Sequence, residues 1–325
     1  MEGSSLPSEH LSKVLTPGSL TTQLSTEGYA VIDNAFGSDW CEIIREEMDT
    51  LAQSDLFSPS KNKLSSTTGD GHILTKHGIY ELDMIFEGKE VCKPECWMLA
   101  ENLAFLAKKE MPRLVEILNA SYPDLELTEL DHMKLQINYG NGSFPMHFDT
   151  HSSTARSRRH LTFILYLNPS WTTRSGGEIR LYPLPYPSID IAPLNDRVAL
   201  FCSHSMLHRV MPSHDSRYCF SLWFASKSSI PFPVKLREKV EGFDEILHFL
   251  FDKEKRRMLS KILYAEEWEQ SVRESFGDLP EVEDSMSLHW KEVKKLEIAF
   301  SPELIALLKE YLPLKTGSEV PQIIK

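Results

Sequence analysis

The chain has 325 residues, of which 41% are hydrophobic and 25% charged, with a formal net charge of -12. That length carries one substantial core with appendages, and the acidic balance offers no footprint for nucleic-acid phosphates or an anionic membrane surface. The first 20 residues do not resemble a secretory signal and no run reaches the roughly 18 apolar residues of a membrane span, so a cytoplasmic or nuclear protein is expected, with neither nucleic acid nor membrane as partner.

Residues 1–20 contain Ser and Pro without periodicity and read as a flexible tail. Residues 27–33 (EGYAVID) read as a short strand, followed by a helix that Ser38 can cap and that places Ile44, Met48 and Leu51 on one face. Residues 54–90, rich in Ser, Thr, Gly and Lys, look like an excursion outside the core, and residues 61–90 are a candidate lid. Residues 99–109 are helical by pattern. Pro112 suits the first turn of another helix carrying Leu114, Ile117 and Leu118.

From residue 135 the period becomes two, with strand-like runs at 135–139, 160–167, 177–182, 197–203 and 217–225 between clusters of Gly, Pro, Asn and Ser. This predicts an antiparallel sandwich or barrel. Past Pro233 the pattern returns to helix, over 243–263 and again from the cap-and-proline opening Ser301-Pro302-Glu303 to Tyr311. The boundaries expected are therefore a tail over 1–20, a main domain over 21–235 and a helical extension over 236–325.

Five cysteines in a chain without an export signal predict free thiols, and Cys92 and Cys96 lack the second pair that a tetrahedral zinc site needs. The histidines are more informative. Residues i and i+2 of a strand share a face, so His147 and Asp149 can converge on one cation while Phe148 packs behind them. A third ligand must come from elsewhere, with His204, His208 and His214 as candidates. Nine residues after His208 comes Arg217, which opens a strand whose one face is Arg217, Cys219, Ser221 and Trp223. A guanidinium facing a β core is costly unless an anion meets it, and its planar fork matches a carboxylate. Two imidazoles and one carboxylate with open positions form the ligand set of non-heme Fe(II) oxygenases.

Taken together, Tyr139-Gly140-Asn141-Gly142-Ser143, His147-Phe148-Asp149, Tyr166-Leu167-Asn168, Gly176-Gly177-Glu178-Ile179-Arg180-Leu181, Asp190-Ile191-Ala192-Pro193, His208-Arg209-Val210 and Arg217-Tyr218 resemble, in order, the blocks of the Fe(II)- and 2-oxoglutarate-dependent dioxygenases of the Egl-nine and prolyl 4-hydroxylase type. The resemblance covers about residues 20–230. It implies an α+β fold: a double-stranded β-helix (jelly-roll) core with N-terminal supporting helices and a helical C-terminal extension. It implies His147, Asp149 and His208 as iron ligands, Arg217 as anchor of the distal carboxylate of 2-oxoglutarate, and Tyr166, Tyr139 and Ser221 as further co-substrate contacts. O2 would be the second co-substrate and ascorbate a reductant, with hydroxylation of a prolyl residue in a protein as the expected reaction. A small-molecule substrate, or a β-core binding protein that uses its helical C-terminus for a partner, are the competing readings. Two departures from the family, the basic stretch 155–159 and the turn Pro183-Leu184-Pro185-Tyr186-Pro187, are expected where substrates approach. Arg217 stands where collagen-type enzymes carry lysine.

Overall fold

The computed structural model describes residues 6–150, 158–228, 233–236, 247–311 and the backbone of 322–323. In chain order the N-terminal part contains α1 (Pro7–Val14), α2 (Thr21–Thr26), β1 (Tyr29–Ile32), α3 (Ser38–Gln53), β2 (Ser58–Leu64), β3 (His72–Phe86), β4 (Lys89–Glu90), α4 (Pro94–Leu99), α5 (Glu101–Phe105) and, after a π-turn, α6 (Met111–Ser121). The strand-rich part follows as β5 (Leu127–Asn138), β6 (Gly142–His147), β7 (Arg159–Tyr166), β8 (Ile179–Tyr182), β9 (Ile189–Ile191), β10 (Arg197–Cys202), β11 (Leu207–Ser213) and β12 (Arg217–Ser226). The last part is α7 (Leu247–Phe251), α8 (Lys253–Leu263), α9 (Ala265–Phe276), α10 (Pro280–Glu297), α11 (Pro302–Tyr311) and β13 (Gln322–Ile323).

Two sheets face each other. The major sheet runs β1-β10-β7-β12-β5-β3-β2, with β4 on β3, and the minor sheet runs β13-β9-β8-β11-β6. Strand alternation divides the side chains of the major sheet. Phe220, Leu222 and Phe224 of β12 join Leu161, Phe163 and Leu165 of β7 in a core with Ile44, Met48 and Leu51 of α3 and Leu114 and Leu118 of α6. The opposite faces, with Tyr166, Ile164, Ala199 and Phe201, meet Ile179 and Leu181 of the minor sheet in a second core. This is the jelly-roll arrangement that positions the site between the sheets.

Residues 6–20 are not a loose tail: Leu11, Leu15 and Leu20 are buried in the major core, and the Glu110 carboxylate accepts from Ser8 N. The helix was illegible because it is short and only its Leu11 face is apolar. The excursion over 54–90 is also corrected, since β3 pairs with β5 from Ile79↔Asn138 to Ile85↔Met133 and extends the major sheet. Its polar alternation reflects a strand with one face towards the polar interior. Strands β9 and β11 had no counterpart among the expected runs, because charge and Pro212 interrupt their apolar pattern. The predicted helix over 243–263 is two helices where described, α7 and α8, with Asp252 capping α8 through Lys255 N at 2.8 Å; 243–246 lie outside the described residues.

Candidate active site

His147 ends β6 and His208 lies directly opposite on β11, so the register turns both imidazoles to the same face of the minor sheet, with ring centroids 4.2 Å apart. Each ring is oriented by its own chain: His147 Nδ1 donates to Pro145 O at 2.8 Å and His208 Nδ1 to Met206 O at 3.1 Å. This fixes the tautomer and leaves both Nε2 atoms as donors to a metal. Asp149 lies past the end of β6 in a bend, not in the strand itself, yet its Oδ1 is 3.5 Å from His147 Nε2 and 3.6 Å from His208 Nε2. Three ligands each about 2.1 Å from one ion stand at roughly this mutual spacing. Of the three candidates, His208 is the one that joins His147 and Asp149 in a cluster among the described residues. His204 sits in the turn before β11 with its Nδ1 on Thr150 Oγ1, and His214 meets Asn141.

Asp149 is held by a relay: Thr162 Oγ1 donates to its Oδ2 at 2.6 Å and lies 2.8 Å from Ser203 Oγ. Burial alone would raise the Asp149 pKa, but the two histidines and the Thr162 hydroxyl outweigh it and hold the carboxyl well below the usual range. Burial, followed by the neighbouring His147, pushes His208 down to about 4. An ionised carboxylate beside a neutral imidazole is the protonation state that binds a divalent cation.

Arg217 is buried on the facing sheet. Its Nε donates to Gly177 O at 2.7 Å, its guanidinium lies 5.0 Å from the Tyr166 ring centroid, and no carboxylate among the described residues is within ion-pair distance. Gly177 has a φ of +75° and a Cβ there would stand 2.8 Å from Arg217 Cδ, so the glycine makes room for the arginine stem. Tyr166 Oη and Asn138 Nδ2 are buried without a partner among the described residues. Burial pushes the Tyr166 pKa up, so the phenol stays protonated and a donor. A cation and two unused donors in one dry layer fit a carboxylate-bearing ligand, as the His147, Asp149 and His208 donors fit Fe(II).

Ser221 lies on the same face, opposite Ile164 and Lys134. Tyr139 does not. Alternation in β5 turns Asn138 inwards, in register with Arg217, and sends Tyr139 to the outer side, where its ring meets Tyr80 at 5.9 Å and the Tyr218 hydroxyl neighbours it. It is therefore Asn138, whose Oδ1 accepts from Gln136 Nε2 at 2.8 Å, and not Tyr139, that stands beside Arg217. Counting by twos from Arg217's partner strand would have found it, but the sequence does not print the register.

Beyond Trp223 the interior wall is polar. Lys134 lies 3.2 Å from Glu81 and 3.5 Å from Asp83, His132 Nε2 is 2.8 Å from Asp83, and Arg159 stacks 5.0 Å from the Trp223 ring. Of the basic stretch, 155–157 lie outside the described residues, while Arg158 pairs with Glu129 and Arg159 opens β7. Most of the proline-rich turn is packed inwards: Leu184 lies in a cluster with Leu250 and Leu259 of the C-terminal helices, and Tyr186 is buried, while Pro187 is half-buried.

A family model described as the 2OG-Fe(II) oxygenase superfamily matches residues 135–225, which run from the inward-facing end of β5 through all three candidate ligands to Arg217 and Trp223. A hypoxia-inducible factor prolyl hydroxylase from Caenorhabditis elegans is 28% identical over 211 residues, which is 63% of this chain but only 27% of that relative. The crystal structure of a prolyl 4-hydroxylase from Phytophthora capsici superposes with a TM-score of 0.71 at 28% identity, covering 95% of this chain and 96% of that one. The fold is shared as well with a Trichoplax adhaerens prolyl hydroxylase, at a TM-score of 0.50 and 23% identity over 68% of this chain and 91% of that one. With its ligand set, its buried arginine and these relatives, the chain carries a domain of the 2OG-Fe(II) oxygenase superfamily, with prolyl hydroxylases among its homologues.

Proposed function

We propose that the protein hydroxylates a prolyl residue of a protein substrate, using 2-oxoglutarate and O2 at an Fe(II) centre held by His147, Asp149 and His208. The observation that carries this reading is the buried Arg217 guanidinium, with no carboxylate partner among the described residues, on the sheet facing the three-ligand cluster. Bound Fe(II) would couple oxidative decarboxylation of 2-oxoglutarate, to succinate and CO2, to insertion of oxygen into a C–H bond. The chain's own part is orientation: Arg217, Tyr166 and Asn138 hold the far carboxylate, and the Thr162–Asp149 relay keeps the ligand set fixed. The apolar layer of Ile164, Leu181, Ile179 and Phe201 excludes water around them. His147 is the most exposed of the three ligands, so substrate enters on its side.

The polar wall of Lys134, Glu81 and Asp83 supports a peptide rather than an apolar small molecule, since a peptide backbone brings hydrogen-bonding groups that need partners. The Trichoplax relative, in complex with a hypoxia-inducible factor peptide, and the C. elegans relative by its name act on that protein. The substrate of this chain is proposed only as a prolyl-containing peptide. Incubation with Fe(II), 2-oxoglutarate, ascorbate and a library of proline-containing peptides, read by mass spectrometry, should give one added oxygen per succinate formed. His208→Ala and His147→Ala should abolish both products. Succinate release that survives in His208→Ala, or oxygen added only to small molecules, would overturn the assignment.

A further inference from the structure

The two ligand-bearing strands alternate in opposite directions at once. His147 and His208 point inwards, so the residues preceding them, Met146 and Leu207, point outwards, and both are buried against Leu250, Leu259, Leu263, Phe300 and Leu304 of the C-terminal helices. Strand β6 is an edge of the minor sheet, and α9 covers that edge: Ser271 Oγ accepts from Met146 N at 2.9 Å and Ser275 Oγ lies 3.0 Å from Ser143 Oγ. The helices beyond residue 246 therefore hold the metal-bearing strands from behind.

One side chain of this layer reaches both ligand segments. Arg257 of α8 donates through Nη2 to Thr150 O at 2.7 Å, in the residue after Asp149, and through Nη1 to His204 O at 3.0 Å, in the turn leading to His208. Its guanidinium lies 4.2 Å from the centroid of Phe148, the residue between His147 and Asp149. Thr150 Oγ1 and His204 Nδ1 join the two segments directly at 2.9 Å. A planar fork that bonds two carbonyls and stacks on a ring has little rotational freedom, so these segments cannot separate without breaking several contacts. The neighbouring Arg256 is buried and bonds Leu250 O at 3.1 Å, which fixes the helix that presents Arg257.

We propose that Arg257 is a positioning residue of the metal centre: supplied by the C-terminal extension, it clamps the backbone on either side of the ligand set and so fixes the separation of Asp149 from His208. The proposal rests on the reading of His147, Asp149 and His208 as a metal site. It also gives the extension a role in the reaction centre, in place of one as an appendage for a partner. Groups that orient metal ligands typically affect metal affinity 10- to 100-fold.

The test uses the full chain and Co(II), whose visible bands report ligand geometry, titrated alongside thermal melting of the metal-free protein. Arg257→Met should weaken Co(II) binding by about tenfold or more and change the band shape, while the metal-free protein melts cooperatively close to the parent. Arg257→Lys, which keeps the charge and a single donor, should recover part of the affinity. Lys255→Met on the same helix should leave Co(II) binding and spectrum unchanged. If the parent does not bind Co(II), the metal-site reading itself fails. If the parent binds but Arg257→Met keeps its affinity within twofold and its spectrum unaltered, the clamp is overturned. It is overturned as well if affinity falls only in step with melting and lysine restores nothing.

Discussion

At the scale of single residues, the site depends on charge that is placed before any ligand arrives. Arg217 is desolvated, and its near neighbours are a glycine carbonyl, the Cys219 sulfur and the Tyr166 ring. Arg217→Lys keeps the charge and loses the fork, so the KM for 2-oxoglutarate should rise while metal binding stays near the parent; Arg217→Gln should weaken the co-substrate further, by about 2–5 kcal/mol. Asn138→Leu removes an unused donor and should raise the same KM by a smaller factor, whereas Tyr139→Phe, on the outer side of β5, should leave it unchanged. Steady-state kinetics on folded variants decide this. A KM that follows Tyr139 instead of Asn138 would mean that the strand faces are assigned the wrong way round. His147, Asp149, His208 and Arg217 were legible in the sequence because their chemistry is unusual for strands. Asn138 was not, since a buried asparagine looks like any other until its partners are known.

At the scale of elements, the β2–β3 hairpin is the part of the supposed lid that the structure describes most fully. Its distal end is docked on α10: Asp284 accepts from Thr67 N, Thr67 Oγ1 and His72 Nε2 at 3.0, 2.7 and 2.9 Å. Leu64 and Leu74 pack beside Val272, Phe276, Val282 and Met286. His72 and Thr67 hold the Asp284 pKa down to about 2, so the carboxylate is ionised at neutral pH. Asp284→Ala should lower the midpoint of chemical denaturation only slightly, because the contact is partly exposed and screened by solvent. It should also speed protease cleavage within residues 65–71, with a larger loss of peptide hydroxylation than of uncoupled succinate formation. Unchanged cleavage would show that Asp284 does not hold the hairpin. The sequence suggested a loop here because β3 alternates polar residues on both sides of Gly78, and only pairing with β5 reveals a strand.

At the scale of the whole molecule, the extension expected over 236–325 is built into the core. Leu250, Leu259, Ile262, Leu263, Phe300, Leu304 and Leu308 bury Met146, Tyr182, Leu184 and Leu207 of the minor sheet, and β13 pairs with β9. Outside that apolar cluster, Arg180 and Arg209 on the same outer face are paired with Glu267 and Glu274 of α9. A chain ending at residue 246 would expose this apolar surface and leave both arginines short of partners, so it should lose cooperative melting and Co(II) binding together. A truncated protein that melts cooperatively and still binds Co(II) would show the extension to be separable. What the sequence determined alone was local: the change of period from helix to strand, the cap of the last helix, and a ligand set whose residue types allow few other chemistries. Tertiary structure alone decided the rest, because a period of two says which residues share a face but not which sheet, partner or layer that face meets. Register placed His208 opposite His147 and Asn138 opposite Arg217, and packing made the C-terminal helices the back wall of the metal site.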